Sequence, residues 1–175
     1  MKEMTTDEIW SRLGVQVFQV SGDIFMFDTF LVNRGQVIPM GTGVGGMGVT
    51  TMAVTDLDRD GQPELLYTYS FGSGIHQSRL GIYAPTFPGE GMLEASTSLT
   101  SGDLLLEKIN DSEVQVKAEL TGLASVPIGQ VVLQSLGGQE TLALVLDKDL
   151  PQDILDNLKT IPGPAPFYPT PTLPP

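Results

Sequence analysis

Short apolar runs, rich in β-branched and aromatic residues, recur along most of this chain and are broken by clusters of Gly, Asp, Asn, Ser and Pro. That is the texture of a β-rich protein. Val15 to Val20 and Ile24 to Val32 flank Ser21-Gly22-Asp23 and predict a hairpin. Gln36 to Met40 predicts a short strand, with Pro39 marking a sheet edge. Val49 to Thr55, Glu64 to Phe71 and Gln77 to Ala84 predict three more strands, the last two joined by Gly72-Ser73-Gly74. Residues 85–101 are rich in Pro, Gly, Ser and Thr and predict a long loop. Asp103 to Ile109 and Glu113 to Leu120 predict a hairpin around Asn110-Asp111, and Gln130 to Leu136 with Glu140 to Leu146 another around Gly137-Gly138.

Helical signals sit only near the two ends. Thr5 or Thr6 before Asp-Glu-Ile-Trp is a helix start, and Gly14 is a stop, which predicts Ile9, Trp10 and Leu13 docking on the core. Asp149 to Lys159 predicts a second short helix, with Pro151 in its first turn, Lys159 at its negative end, and Ile154, Leu155 and Leu158 on one apolar face. From Ile161 onwards seven of fifteen residues are proline, which suits a flexible extended tail over 161–175. The expectation is one β-rich domain over 1–160, mainly β. Its strands form an antiparallel meander, sandwich or propeller-blade-like sheet of about eight to ten strands, with short N- and C-terminal helices.

Composition narrows the chemistry. No cysteine and a single histidine among 175 residues exclude a thiolate zinc site, an iron–sulfur cluster, a disulfide scaffold and a multi-histidine metal centre. A formal net charge of −12 argues against a phosphate-binding surface and hence against nucleic acid as a partner, and it suits a cation ligand. No apolar run approaches the roughly 20 residues that cross a bilayer, so no membrane insertion by this chain is expected. The opening Met1-Lys2-Glu3-Met4-Thr5-Thr6-Asp7-Glu8 lacks the pattern of a signal peptide, which leaves a cytoplasmic location open.

The strongest chemical signal is Asp56-Leu57-Asp58-Arg59-Asp60-Gly61-Gln62-Pro63-Glu64. Alternate aspartates on a curling loop turn their carboxylates into one concavity, and Gly61 permits the sharp turn. The expected metal donors are the side chains of Asp56, Asp58, Asp60 and Glu64 and the backbone carbonyl of Gln62. Hard oxygen donors around a tight turn suit Ca²⁺. The loop departs from the EF-hand, because its twelfth position is Tyr67 rather than a bidentate glutamate and its flanks predict strands. A metal-free polar loop, with aspartates capping turn amides, is the competing expectation.

Residues Thr55 to Leu66 resemble the calcium loop of FG-GAP/VCBS-type repeats, which in that family joins two strands of a propeller blade. The longer stretch, continuing through Ser70-Phe71-Gly72-Ser73-Gly74-Ile75, is similar to an uncharacterised bacterial domain of cell-surface proteins, including relatives of β-lactam-sensing membrane metallopeptidases. This resemblance implies an extracytoplasmic, β-rich domain, and it implies no peptidase activity, since His-Glu-x-x-His is absent.

Other signals are weaker. Gly41-Thr42-Gly43-Val44-Gly45-Gly46 satisfies G-x-G-x-x-G, but the strand-like Val49 to Val54 follows where a dinucleotide site needs a helix, so a loop or bulged edge is expected. Ser70, Ser73 and His76 suggest a hydrolase only if they converge with a carboxylate such as Glu64. Tyr67, Tyr69, Phe71 and Tyr83 suit packing against a sheet. The leading expectation is a non-enzymatic, calcium-stabilised binding or sensor module for a protein or small ligand. A carboxylate- or calcium-dependent hydrolase near 56–76 and a metal-free structural domain stand as alternatives.

Overall fold

A computed structural model describes residues 1–22, 27–41, 47–72, 75–87, 91–136 and 139–160. These residues form thirteen strands and two short helices, and every strand pair is antiparallel. The mainly β expectation holds, with more strands than turn spacing suggests. The Ser21-Gly22-Asp23 turn in part, most of the glycine run 41–46, Ser73 and Gly74, Gly137-Gly138 and the proline-rich segment 161–175 lie outside the described residues.

Three meanders build three sheets. Strands β1 (Lys2–Glu3), β2 (Gln16–Ser21), β3 (Phe27–Asn33) and β4 (Gln36–Pro39) form the first, in that order. Strands β5 (Gly48–Thr55), β6 (Glu64–Phe71), β7 (Gln77–Tyr83) and β8 (Met92–Thr100) form the second, which β13 (Leu158–Thr160) completes beside β8. Strands β9 (Gly102–Asn110), β10 (Glu113–Leu120), β11 (Val126–Leu136) and β12 (Gln139–Leu146) form the third.

Two apolar clusters show how the sheets stack. One joins Leu66, Leu80, Ile82 and Leu99 of the second sheet to Leu104, Val114, Val116, Ile128 and Leu142 of the third. The other joins Leu65, Tyr67, Tyr69 and Tyr83 of the second sheet to Val17, Leu31 and Ile38 of the first, and to Ile9 of helix α1 (Asp7–Leu13). The second sheet is therefore a middle layer, covered on both faces. Strand β6 is buried over Glu64 to Ser70 because odd positions face one cluster and even positions the other. Its buried hydroxyls are paired: Thr68 bonds Thr50 at 2.9 Å, and Met47 donates to Ser70 Oγ at 3.3 Å.

Helix α1 starts and stops where its sequence indicates. Thr6 Oγ1 accepts from the Ile9 amide at 3.2 Å, and Gly14, at φ +64°, closes the helix in the left-handed region. Ile9 is buried, whereas Trp10 is 58% exposed, so one of the three expected docking residues faces solvent. Residues 92–100 correct the long-loop expectation. They form β8, because Ala95, Ser98 and Leu99 are buried and β7 pairs along the strand. Helix α2 (Gln152–Asn157) is shorter than Asp149 to Lys159. Pro151 is its N-cap, Ile154 is buried, Leu155 is 43% exposed, and Leu158 and Lys159 have joined β13. Lys159 still meets the helix C-terminus, donating from Nζ to the Asp156 carbonyl at 2.6 Å.

Candidate metal centre

The Asp loop joins β5 to β6, so two paired strands fix both of its ends. Inside it, the carboxylates organise the backbone. Asp58 Oδ1 accepts from the Asp60 amide at 3.1 Å, Asp60 Oδ1 from the Gln62 amide at 2.7 Å, and Asp56 Oδ1 from the Gly61 amide at 3.3 Å. These Asx-type bonds curl the chain. The curl passes through the left-handed region twice, at Arg59 (φ +62°) and Gly61 (φ +86°). Gly61 takes that conformation without strain, and Arg59 does not.

The result is convergence. One carboxylate oxygen from each of Asp56, Asp58, Asp60 and Glu64 lies within 4.8 Å of the others. Two oxygens bound to one Ca²⁺ at ~2.4 Å can be at most about 4.8 Å apart, so this spread matches a hard-cation shell. Asp58 and Asp60 are exposed, Asp56 is half-buried and Glu64 is only 3% exposed, which makes the concavity open to solvent on one side and closed beneath. These four residues could hold a metal ion. Gln62, the fifth expected donor, lies in the same curl, with its amide engaged by Asp60.

Glu64 is the floor of the site. Its Oε2 accepts from the Leu57 amide at 2.9 Å and from the Thr55 hydroxyl at 3.2 Å, and Thr55 is fully buried. Burial pushes the Glu64 carboxyl up to about 7; the neighbouring charges of Asp58 and Asp56 add to the rise, and the two hydrogen bonds oppose it. A cation would reverse this balance by compensating the carboxylates.

The β9–β10 turn braces the loop from outside. The Asp56 amide donates to the Asp111 carbonyl at 2.6 Å. The Asp111 carboxylate meets Lys108 at 2.8 Å and Arg12 of α1 at 3.1 Å, while Glu8 meets Lys108 at 2.7 Å. The Lys108 and Arg12 hydrogen bonds hold the Asp111 carboxyl below its ordinary value. Sequence reading offers no signal for this brace, because Asp111 lies far from Asp56 along the chain and meets it only through stacking of the second and third sheets.

The hydrolase constellation does not assemble among the described residues. Glu64 opens β6 and His76 follows its far end, about 23 Å away at a strand's rise per residue. His76 instead pairs with Asp103, Nε2 to Oδ1 at 2.8 Å, in an open depression of about 330 Å³ lined also by Glu119 and Thr121. Ser70 is fully buried beneath Met47, and Ser73 lies outside the described residues. Tyr67 and Tyr69 are buried, as packing residues should be, with ring centroids 6.2 Å apart. No helix among the described residues is long and apolar enough to cross a membrane. Compared with protein-family models, curated proteins and solved structures, the chain matches none.

Proposed function

We propose that the loop Asp56–Glu64 binds Ca²⁺ and that the chain is a non-enzymatic, calcium-stabilised module that binds or senses a protein or small ligand outside the cytoplasm. The observation that carries this reading is the convergence of four carboxylate oxygens within 4.8 Å on a loop anchored by two paired strands. The donors are all hard oxygens, and the loop is open to solvent on one side and turns sharply at Gly61, which suits the larger and more tolerant shell of Ca²⁺ over the strict octahedron of Mg²⁺. The location follows from the resemblance of residues 55–75 to an uncharacterised bacterial domain of cell-surface proteins.

The role of the ion is structural. Asp56, Asp58, Asp60 and Glu64 place like charges together, and a divalent cation offsets that repulsion only in the folded state. Stability then rises with the logarithm of calcium concentration above Kd. Calorimetric titration of Ca²⁺ into chelator-treated protein, with parallel thermal melts, tests this. Heat of binding and an upward Tm shift are expected, and Asp58→Ala removes both. An absence of binding at millimolar calcium overturns the proposal in favour of a metal-free structural domain.

A further inference from the structure

The chain holds one Asp-Gly dipeptide, Asp60-Gly61, and no Asn-Gly. The backbone nitrogen that follows an aspartate can attack the aspartate's own side-chain carboxyl carbon. A side chain on the following residue screens that nitrogen, and glycine has none. The fold decides where this attack is open.

The Asp loop sets three such pairs side by side. Asp56 is followed by Leu57, whose amide is held by Glu64 Oε2 at 2.9 Å and whose side chain packs against the core. Asp58 is followed by Arg59, which carries a long side chain beside its nitrogen. Asp60 is followed by Gly61, both are exposed, and nothing lies within 4 Å of where a Cβ on Gly61 would stand. The Asp60 carboxyl folds forwards along the Gly61 peptide, because its Oδ1 accepts from the Gln62 amide at 2.7 Å. The Gly61 amide donates to Asp56 Oδ1 at 3.3 Å, so a carboxylate already sits on the proton that the attacking nitrogen must lose. The chain's one Asp-Ser pair, Asp111-Ser112, is held differently: its carboxylate is engaged by Lys108 at 2.8 Å and Arg12 at 3.1 Å.

We propose that Asp60-Gly61 is a self-modification site, at which the metal-free protein converts Asp60 to isoaspartate with Asp56 as the base. The Asp60 carboxyl first takes a proton from solvent. The Gly61 nitrogen then bonds to Asp60 Cγ and gives its proton to Asp56 Oδ1. The carboxyl O–H leaves as water, taking the proton that Asp56 received, and nothing is oxidised or reduced. Water opens the resulting imide ring. Addition at Cγ restores Asp60, and addition at the main-chain carbonyl carbon gives isoaspartate. In isoaspartate the backbone runs through Cβ and Cγ, and the free carboxylate sits directly on Cα. The Asp60–Gln62 bond is then lost, and the carboxylate is withdrawn from the shared concavity. A bound Ca²⁺ engages both Asp60 and Asp56, so an occupied loop is protected. That protection alone rests on the calcium reading proposed above.

The test is ageing of the full chain at neutral pH, in chelator and in excess Ca²⁺, in water enriched in heavy oxygen. Isoaspartate is counted with an isoaspartyl methyltransferase and located by peptide mapping with electron-transfer fragmentation. In chelator, isoaspartate and solvent oxygen should accumulate at Asp60 and not at Asp56, Asp58 or Asp111. Asp56→Asn keeps an acceptor for the Gly61 amide but removes the base, and it should slow the conversion several-fold. Asp60→Glu keeps the charge but demands a larger imide ring, and it should abolish both signals. Excess Ca²⁺ should suppress the conversion. Solvent oxygen absent from Asp60 in chelator overturns the proposal, as does accumulation no faster than at Asp58 or a rate indifferent to Asp56→Asn. Equal conversion with and without Ca²⁺ supports the modification and overturns Asp60 as a calcium ligand, so the two readings fail separately.

Discussion

Glu64 supplies the sharpest single test of the site, because the structure gives the sign and size of its effect. In metal-free protein the Glu64 carboxyl titrates near 7 against an ordinary 4.5, mainly because it is buried. The proton-bound form is the one the fold favours. Its contribution to stability is fully present below about pH 4.5 and is lost as pH rises through about 7. At ~1.36 kcal/mol per pH unit, that window is worth about 3 kcal/mol. Glu64→Gln keeps an oxygen for the Leu57 amide and removes the titration. In chelator, the wild-type protein should lose about 3 kcal/mol relative to the variant between about pH 4.5 and about pH 8, and its melt should fall relative to the variant by roughly 6–12 °C. With Ca²⁺ at about pH 8 the order should reverse, since only the wild type can offer the fourth carboxylate. Denaturant unfolding in chelator across this pH range is the assay. Wild-type stability that stays level with the variant, or rises relative to it, would refute the buried-carboxylate reasoning.

Three further outcomes follow from the packing. Gly81→Ala would drive a Cβ into the ring and hydroxyl of the fully buried Tyr67, so unfolding should show a loss of about 1–3 kcal/mol without a change in the calcium response. Thr6→Ala removes the hydroxyl that accepts from the Ile9 amide, and stability should drop by about 1 kcal/mol in urea titrations. Lys108→Ala frees Glu8 and Asp111, whose carboxyls Lys108 holds below their ordinary values. The wild type should therefore lose more stability than the variant as pH falls through the carboxylate range, and high salt should narrow the difference.

Legibility varied with the range of the interaction concerned. The α1 cap at Thr6, its stop at Gly14, the hairpin around Asn110-Asp111 and the curl of the Asp loop all depend on neighbours a few residues away, and each stands where the residues indicate. Strand β8 was illegible because Ser, Thr and Gly read as loop, whereas the fold pairs that segment with β7 and buries Ser98 and Leu99. Trp10 belongs to the apolar stripe of α1 but is left exposed, whereas Ile9 is buried and Leu13 packs against the same cluster.

By itself, the sequence determined the β class, the helix stop at Gly14, the turn at Asn110-Asp111 and the spacing of Asp56, Asp58, Asp60 and Glu64, since all of these rest on local backbone preference and side-chain alternation. Only the tertiary structure decided that the second sheet becomes a middle layer, that Glu64 sits as a buried floor under exposed aspartates, and that Asp111 clasps the loop. Burial and pairing depend on which distant surfaces meet, and a strand's own residues carry no record of what will cover its second face or its free edge.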